Sequence, residues 1–503
     1  MVTAQHPQHL ASLTKWQRAR HVIAGEDAVK AAGALYLPKL TDQTPEEYEA
    51  YKNRALFFNA SARTVDAFVG MIFRRDPTEE LPAELDKFKA DANLQGQSFY
   101  DYQKQIVRET IGVGRAGTLV EWSDEEARPF VVRYEAEQII NWRTGRVGSR
   151  TVVTMVVLSE KVDAAEIMRL EAKRQTAAPV KDEKKLPAKG YDTRSKTGPV
   201  EETDSGEFDQ KLKEQIRVLR LDLTQAKPVY VVDIWRKDSA GKFSKVLTIT
   251  PQRKGNMSLI PFVFHGPNNL LPDVDRPPID DIAVINLSHY RTSADLEHGR
   301  HFTGLPTVFA AGFDADKTYR IGSGAAWVSS DVEANAKYIE FTGQGLDCLV
   351  EALKEKEAQM AVLGARMLQQ EKKAVETENV ALLKTTGEQA SLTQIAATAS
   401  ESFAMIYRLA LWWKGAADSE LSDTESKIKV ELNTDFNSTQ MNPALVSALV
   451  SAAQQGYLSK DSVVSKFKQG ELIGGNRTVD EEMLLIEQTM PDLTGEDKDL
   501  DKK

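Results

Sequence analysis

Three helical patterns in the middle of the chain constrain its fold more than any other feature. Apolar residues recur at helical spacing over residues 279–294 and again over 346–367. Between them lie short extended segments over 307–341, which glycine and aspartate interrupt, as in a small β unit. A third pattern covers 376–413 and would be roughly 55 Å long as one unbroken helix. The sequence therefore predicts two helices that flank a small β unit, followed by a long helix.

The flanking regions combine strands with further helices, so the predicted fold class is α+β. Helical spacing predicts helices over residues 65–73 and 99–106, while the first 60 residues are polar with scattered aromatics. Runs rich in β-branched residues predict strands at 118–122, 129–134, 151–158, 216–223, 228–235 and 245–250. After the long helix we expect a strand at 428–436 and short helices at 443–455, 460–468 and 479–488.

Two segments lack the pattern of a packed element. Residues 161–213 are highly charged and contain few large apolar side chains, so they cannot bury enough surface to offset the entropy of ordering. We expect a mobile insertion there. The tail over 491–503 has no apolar pattern either and is predicted to be disordered.

Composition excludes several classes of protein. The chain has 503 residues and a net charge of −10, which argues against a protein that coats nucleic acid. No apolar stretch approaches the roughly 20 residues that a membrane span requires. The single cysteine, Cys348, excludes intrachain disulfides and multi-cysteine metal sites, which is typical of assembly in a reducing cytosol. It lies on the apolar side of the second predicted helix, where we expect it to be buried.

One glycine motif is a candidate nucleotide site. Gly112, Gly114 and Gly117 match the G-x-G-x-x-G spacing, but a dinucleotide site needs a strand before the glycines and a helix after them. The predicted order here is helix before and strand after, which favours a simple turn. The chain also lacks the G-x-x-x-x-G-K-[ST] motif of P-loop ATPases, so no cofactor is predicted.

Asp295, His298 and His301 form the one candidate metal cluster. Their i, i+3, i+6 spacing could place them on one helix face. Gly299 and Arg300 interrupt the cluster and no fourth ligand is evident, so a polar helix end is the simpler interpretation, and no metal or catalytic residue is predicted.

Glycines and lysines complete the list of candidate positions in this region. Gly364 and Gly387 are candidate kinks or loop points in the second and third helical patterns. Lys354 and Lys356 alternate with glutamates and are expected on a solvated helix face.

Four segments resemble tailed-bacteriophage portal proteins, in the branch first catalogued as a domain of unknown function. They are RALFFNASARTVDAFVGMIFRRDP, RPFVVRYEAEQIINWR, INLSHYRTSADLEHGRHFTGLPTVFAAG, and GLDCLVEALKEKEAQMAVLGARML followed by VETENVALL. The resemblance covers residues 40–490, and its specificity lies in the order of these segments and the long helices between them.

The resemblance implies a portal-type subunit with β-containing wing, two-helix stem, small β clip and helical crown. The implied boundaries are wing 1–277 with the insertion 161–213, stem helices 278–302 and 345–368 around a clip at 303–344, tunnel loop 369–378, wing helix and strand 379–435, and crown 436–490. It also implies a homo-oligomeric ring, expected to be a dodecamer. The ring would lie at one capsid vertex of the virion after assembly in the host cytoplasm, with no enzymatic activity of its own.

The same resemblance implies partners and a DNA-contacting segment. Double-stranded DNA would pass through the channel, and the terminase large subunit, the major capsid protein and the head–tail adaptor would bind outside it. Lys372 and Lys373 lie where the family places its tunnel loop and are the predicted channel residues. Because many phosphate contacts would hold DNA tightly, a conduit should have an acidic or mixed wall with few lysines.

Two other functions stay open. The chain could be a different non-enzymatic capsid or head–tail adaptor protein, although the helix–clip–helix order is not a feature of a capsid shell fold. Less favoured is a metal-dependent hydrolase that uses Asp295, His298 and His301.

Overall fold

The fold is α+β, as predicted. The computed structural model describes residues 1–164, 212–225, 227–238, 240–252, 256–303, 307–314, 319, 327–339, 344–365, 378–415, 428–434, 436, 443–455, 457–469 and 479–489. The helices are α1 (Pro7–Ala24), α2 (Glu26–Ala31), α3 (Pro45–Arg54), α4 (Ala60–Ile72), α5 (Asp86–Ala90), α6 (Phe99–Val113), α7 (Asp280–Thr303), α8 (Gln344–Met360), α9 (Glu378–Lys414), α10 (Pro443–Gln454), α11 (Lys460–Gln469) and α12 (Val479–Thr489).

The strands form two larger sheets and two short pairs. They are β1 (Thr78–Glu80), β2 (Ala116–Ser123), β3 (Arg128–Glu135), β4 (Ile139–Val147), β5 (Arg150–Asp163), β6 (Leu212–Asp222), β7 (Val229–Lys237), β8 (Phe243–Ile249), β9 (Phe262–His265), β10 (Thr307–Ala311), β11 (Asn335–Ile339) and β12 (Lys429–Glu431). One sheet has the order β3-β2-β9 and the other is a five-stranded antiparallel meander, β4-β5-β6-β7-β8. The pairs are β1 with β12 and β10 with β11.

The N-terminal region is helical, which the sequence reading missed. Pro7 starts α1, whose buried Trp16, Ala19 and Val22 recur every three residues. A capping box starts α3, because the Thr44 side chain accepts from the Glu47 backbone and the Glu47 side chain accepts from the Thr44 backbone. These helices pack against α7, and they therefore help to position it.

The main core forms where α9 crosses the three-stranded sheet. Tyr407 packs its ring 4.5 Å from that of Phe99 on α6, measured between ring centroids. The Trp413 indole Nε1 donates to the Val120 backbone oxygen on β2 at 2.9 Å. The backbone of α9 is continuous through Gly387, so the predicted kink there is wrong.

The predicted strands of the first half are confirmed, and β1, β4 and β9 are additional. The predicted insertion is shorter than expected at both ends, because β5 extends to Asp163 and β6 begins at Leu212. Residues 165–211 lie outside the described part of the chain. The three C-terminal helices are confirmed as α10, α11 and α12, while the predicted strand at 428–436 is reduced to β12.

Candidate functional site: a helical arm

Helices α7 and α8 form an antiparallel pair, with the β10–β11 hairpin at one end; we call residues 280–360 the arm. Three contacts fix the register of the two helices. His289 Nε2 lies 3.3 Å from Glu357 Oε1, and Lys356 Nζ donates to the Ser288 backbone oxygen at 3.4 Å and to the Thr292 hydroxyl. Nearer the hairpin, the helices approach so closely that a Cβ on Gly299 would lie 2.6 Å from Leu346 Cδ2.

The first part of α7 is fixed to the body by buried polar contacts. Asn286 Oδ1 accepts from the Ser61 backbone N–H and hydroxyl at 3.2 and 2.9 Å, and its Nδ2 donates to the Phe58 backbone oxygen at 2.7 Å. At the start of the helix, the Asp280 carboxylate lies 2.5 Å from Arg18 and 3.2 Å from Arg276. These contacts join α7 to α1 and to the residues at the start of α4.

Burial changes abruptly along α7. Eleven of its residues are buried, and all of them lie between Asp280 and Leu296. From residue 300 to residue 359, every residue whose side-chain environment is described is exposed or only partly buried. The arm therefore has an anchored end inside the protein and a free end outside it.

The hairpin at the free end exposes apolar side chains. Strands β10 and β11 pair from Thr307 opposite Ile339 to Ala311 opposite Asn335. Phe309 is 45% exposed and Val332 is 100% exposed. A two-stranded hairpin is marginally stable alone in water, so this end of the arm is well suited to contact a partner.

The two helices of the arm carry mixed charge with an acidic excess. They contain eight acidic and four basic residues. Lys356 is not on the solvated face that the sequence predicted, because it is half-buried against α7. Burial, and then the nearby Arg291 guanidinium, lower the pKa of Lys356, while burial lowers the pKa of His289 against the opposing effect of Glu357.

Cys348 is exposed, so the prediction that it is buried is wrong. It follows Leu346 on α8, in the part of the arm that leaves the body. The apolar stripe of α8 was identified correctly, but here the protein provides no layer to cover the Cys348 side of the helix among the described residues.

The candidate metal cluster does not assemble. The Asp295 carboxylate accepts a 2.5 Å hydrogen bond from the Tyr51 hydroxyl, and burial, followed by this contact, raises the pKa of Tyr51. The His298 ring packs edge-on against Tyr51 and Phe302, with centroids 5.2 and 4.6 Å apart. Within the described residues, no group of three potential ligands is positioned to hold a metal ion.

The glycine motif is a turn between helix and strand. Gly114 ends α6 with a φ of 81° and packs against the backbone of Pro277, which leaves no room for a side chain. A Cβ on Gly117 would lie 2.2 Å from the Phe262 ring. Both glycines are therefore required for packing, and neither opens a phosphate site.

Gly364 does form a kink, as predicted. It has a φ of +112°, and a Cβ there would lie 3.0 Å from Phe68 Cζ on α4. The kink is seated on the body beside Met360, which is buried with Ala60 and Ile282. Lys372 and Lys373, the predicted channel residues, lie outside the described part of the chain.

Comparison with known proteins gives distant similarities. Residues 278–414, which include the arm and the whole of α9, match the family described as "Domain of unknown function (DUF4055)". No curated protein matches the chain significantly. Among the described helices, none is long and apolar enough to span a membrane.

Solved structures include similar chains from gene transfer agent particles. One, titled "Neck of native GTA particle computed with C12 symmetry", is 11% identical, covers 86% of this chain and 97% of that one, and has a TM-score of 0.38. Another, titled "Virion of native gene transfer agent (GTA) particle", is 11% identical, covers 88% and 97%, and also has a TM-score of 0.38. At these values the similarity does not establish a shared function.

Proposed function

We propose that the protein is a structural component of a phage-like particle, and specifically its portal. Copies of the chain would form a closed ring through which double-stranded DNA enters and leaves the head. The ring would also be the docking platform for the packaging motor and the tail. The energy for packaging would come from a separate ATPase, since the sequence has no P-loop.

The observation that carries the proposal is the arm. Its anchored end is held by buried contacts of Asn286 and Asp280, while its free end has no buried described residue. A 24-residue helix such as α7 is about 36 Å long, so the arm extends well away from its anchor. Side-by-side packing of such arms around an axis would cover their exposed faces, and a heterologous contact of this kind forms a ring when the rotation between neighbouring copies closes.

The charge of the arm supports a conduit rather than a DNA-binding protein. An acidic excess on both helices gives weak, sliding contact with the phosphate backbone, since each neutralised phosphate would strengthen binding and its salt dependence. On this proposal Lys372 and Lys373 are the sparse basic contacts in the channel. Replacing both with Ala should reduce DNA packaging or retention, and normal packaging and retention would remove them from the channel.

The position of the protein in the particle tests the portal proposal against the alternative structural roles. In particles labelled with an antibody to this chain, we expect label at one vertex only. Label over the whole surface would identify a shell protein, and label on the tail beyond the head would identify an adaptor. Either result would contradict the portal role.

A further inference from the structure

Four buried polar side chains form a hydrogen-bond network where α9 crosses the three-stranded sheet. The Tyr102 hydroxyl on α6 lies 2.7 Å from Thr118 Oγ1 on β2, which lies 2.7 Å from His265 Nε2 on β9. On the other side of the imidazole, His265 Nδ1 lies 3.0 Å from the Ser402 hydroxyl on α9, and this hydroxyl donates to the Ala399 backbone oxygen at 2.7 Å. His265 is 3% exposed and the other three side chains are at most 1% exposed. Four elements of the fold thus meet at one buried imidazole.

The contacts of this network fix the positions of its protons. A serine hydroxyl has one proton and the Ala399 oxygen can only accept, so Ser402 must receive its other hydrogen bond from His265 Nδ1–H. In a neutral imidazole Nε2 then has no proton, and it accepts from the Thr118 hydroxyl. Thr118 in turn accepts from Tyr102. Each proton of the network is therefore used once, and the network requires a neutral His265 in the Nδ1–H tautomer.

The surroundings of this imidazole are neutral. Burial lowers the pKa of His265 to about 3, and no charged side chain in the described part of the chain contributes to that shift. The groups that face it are the hydroxyls of Thr118 and Ser402 and the Phe403 ring, whose centroid is 6.2 Å away. Tyr102 is the titratable partner in the network, and burial raises its pKa, so its hydroxyl stays protonated. A positive charge on His265 would therefore be buried without a counter-ion among the described residues.

The network cannot accommodate a second proton on the imidazole. Protonated His265 would carry N–H groups on both nitrogens, so Nε2 would donate to Thr118 instead of accepting from it. Thr118 Oγ1 could accept from both neighbours, but its own proton would then have no acceptor among its described contacts. The folded protein would hold a buried cation and a buried hydroxyl without a partner, and both are costly. Opening of the crossing would remove both costs, because the two groups would then meet water.

We propose that the hydrogen bonds of His265 to Thr118 and Ser402 form an acid-sensitive joint, which holds α9 across the three-stranded sheet and opens when the imidazole binds a proton. In water the pKa of the imidazole returns to 6.5, so opening takes up a proton below that pH. The joint therefore stabilises the crossing fully above pH 6.5, and this stabilisation is lost as the pH falls towards about 3. The inference does not depend on the proposed portal role, because every group that carries it belongs to one subunit.

Amide hydrogen exchange on the full-length wild-type protein tests the joint directly. After correction for the intrinsic pH dependence of exchange, the opening constant over residues 262–265 and 399–406 should be roughly 25-fold larger at pH 5 than at pH 7. Residues 229–234 of β7, in the other large sheet, are the internal control and should change far less. Equal changes in both regions would show a general loss of stability, and no change at the crossing would show that it does not open with acid. Either result would overturn the proposal.

A histidine variant assigns the effect to the imidazole. His265→Gln keeps an acceptor for Thr118 but cannot take up a proton, so the ratio of opening constants between pH 5 and pH 7 should fall from roughly 25 to about one. His301→Gln, a matched change on the exposed end of α7, should keep the wild-type ratio. A wild-type ratio in His265→Gln would overturn the proposal.

Exchange of the histidine C2 protons with deuterium, resolved by peptide mass spectrometry, tests the wild-type imidazole without any variant. It decides the question if His265→Gln does not fold, as its thermal midpoint would reveal. The exchange rate of a histidine C2 proton follows the protonation of its ring, so His265 should show no inflection between pH 5 and pH 8. An inflection near pH 6.5 would overturn the proposal, because the folded protein would then accept the proton without opening.

Discussion

The two ends of α7 lie in opposite surroundings although both carry aromatic and polar side chains. Tyr290 at the anchored end is 0% exposed and packs against Phe57, whereas Phe302 at the free end is 63% exposed. The same helix thus continues from a protein core into a region that the body does not cover. Stability should therefore depend on the anchored end, and assembly should depend on the free end.

Replacing Tyr290 or Phe302 with alanine should give the largest difference in the free energy of unfolding between the two ends. Tyr290→Ala should cost about 3–5 kcal/mol of the free energy of unfolding, since it empties a fully buried site. Phe302→Ala should change it by less than about 0.5 kcal/mol. Urea unfolding measures both values. Tyr290→Phe is the control, because it removes only a buried hydroxyl that has no hydrogen-bond partner among the described residues, and it should be close to neutral. Similar costs for Tyr290→Ala and Phe302→Ala would contradict the comparison.

A pair of asparagines tests the polar contacts of the anchored end. Asn286→Ala should destabilise the protein by about 2–3 kcal/mol, because it removes the acceptor of the buried Ser61 backbone N–H and hydroxyl. Asn335→Ala, on the exposed strand β11, should stay within about 0.5 kcal/mol. Thermal unfolding of the two variants provides the measurement, and an equally mild effect of Asn286→Ala would show that these hydrogen bonds do not hold the arm.

Two glycines near α4 should respond to alanine with opposite signs. Gly364→Ala should destabilise by about 1–3 kcal/mol, because φ is +112° and Phe68 leaves little space. Gly70→Ala, within α4 and with nothing within 4 Å of the added Cβ, should stabilise by about 0.5–1 kcal/mol. Chemical denaturation distinguishes them, and a neutral or stabilising Gly364→Ala would mean that the kink is not required.

The smallest expected effect is a pH dependence at the anchored end. Burial lowers the pKa of His289 below 6.5, so the unfolded chain binds a proton before the folded protein does. His289 therefore contributes stability above pH 6.5 that is lost as the pH falls below it. Glu357 and Lys356 are the charged groups that face this ring. His289→Gln should reduce the loss of stability on acidification, as measured by thermal midpoints from pH 7 to 5; an unchanged slope would argue against this contribution.

The same contrast explains what the sequence could predict. Helical spacing identified α7, α8 and α9, because an apolar stripe is a local property of the sequence. Whether a stripe is covered is a tertiary property, which is why Cys348 was placed in a core that the described protein does not provide. Lys356 was wrongly predicted to lie on a solvated face. Its partner Thr292 lies on another helix, so the sequence of α8 alone does not show this contact. The N-terminal helices were missed because small and polar residues separate their few large apolar side chains.

The order of helices and strands in the arm could be predicted from the sequence, but the conformation at individual residues could not. The kink predicted at Gly364 is confirmed. Its backbone is left-handed, and glycine is the residue that adopts this conformation without strain. Gly387 had the same sequence signal without the same conformation.

Electron microscopy of the purified full-length protein tests the central claim most directly. The account predicts closed rings with an open central hole wide enough for duplex DNA, with a mass of about 670 kDa if twelve copies of the 55.9 kDa chain assemble. Particles that stay monomeric in every condition, or compact assemblies without a central opening, would contradict it.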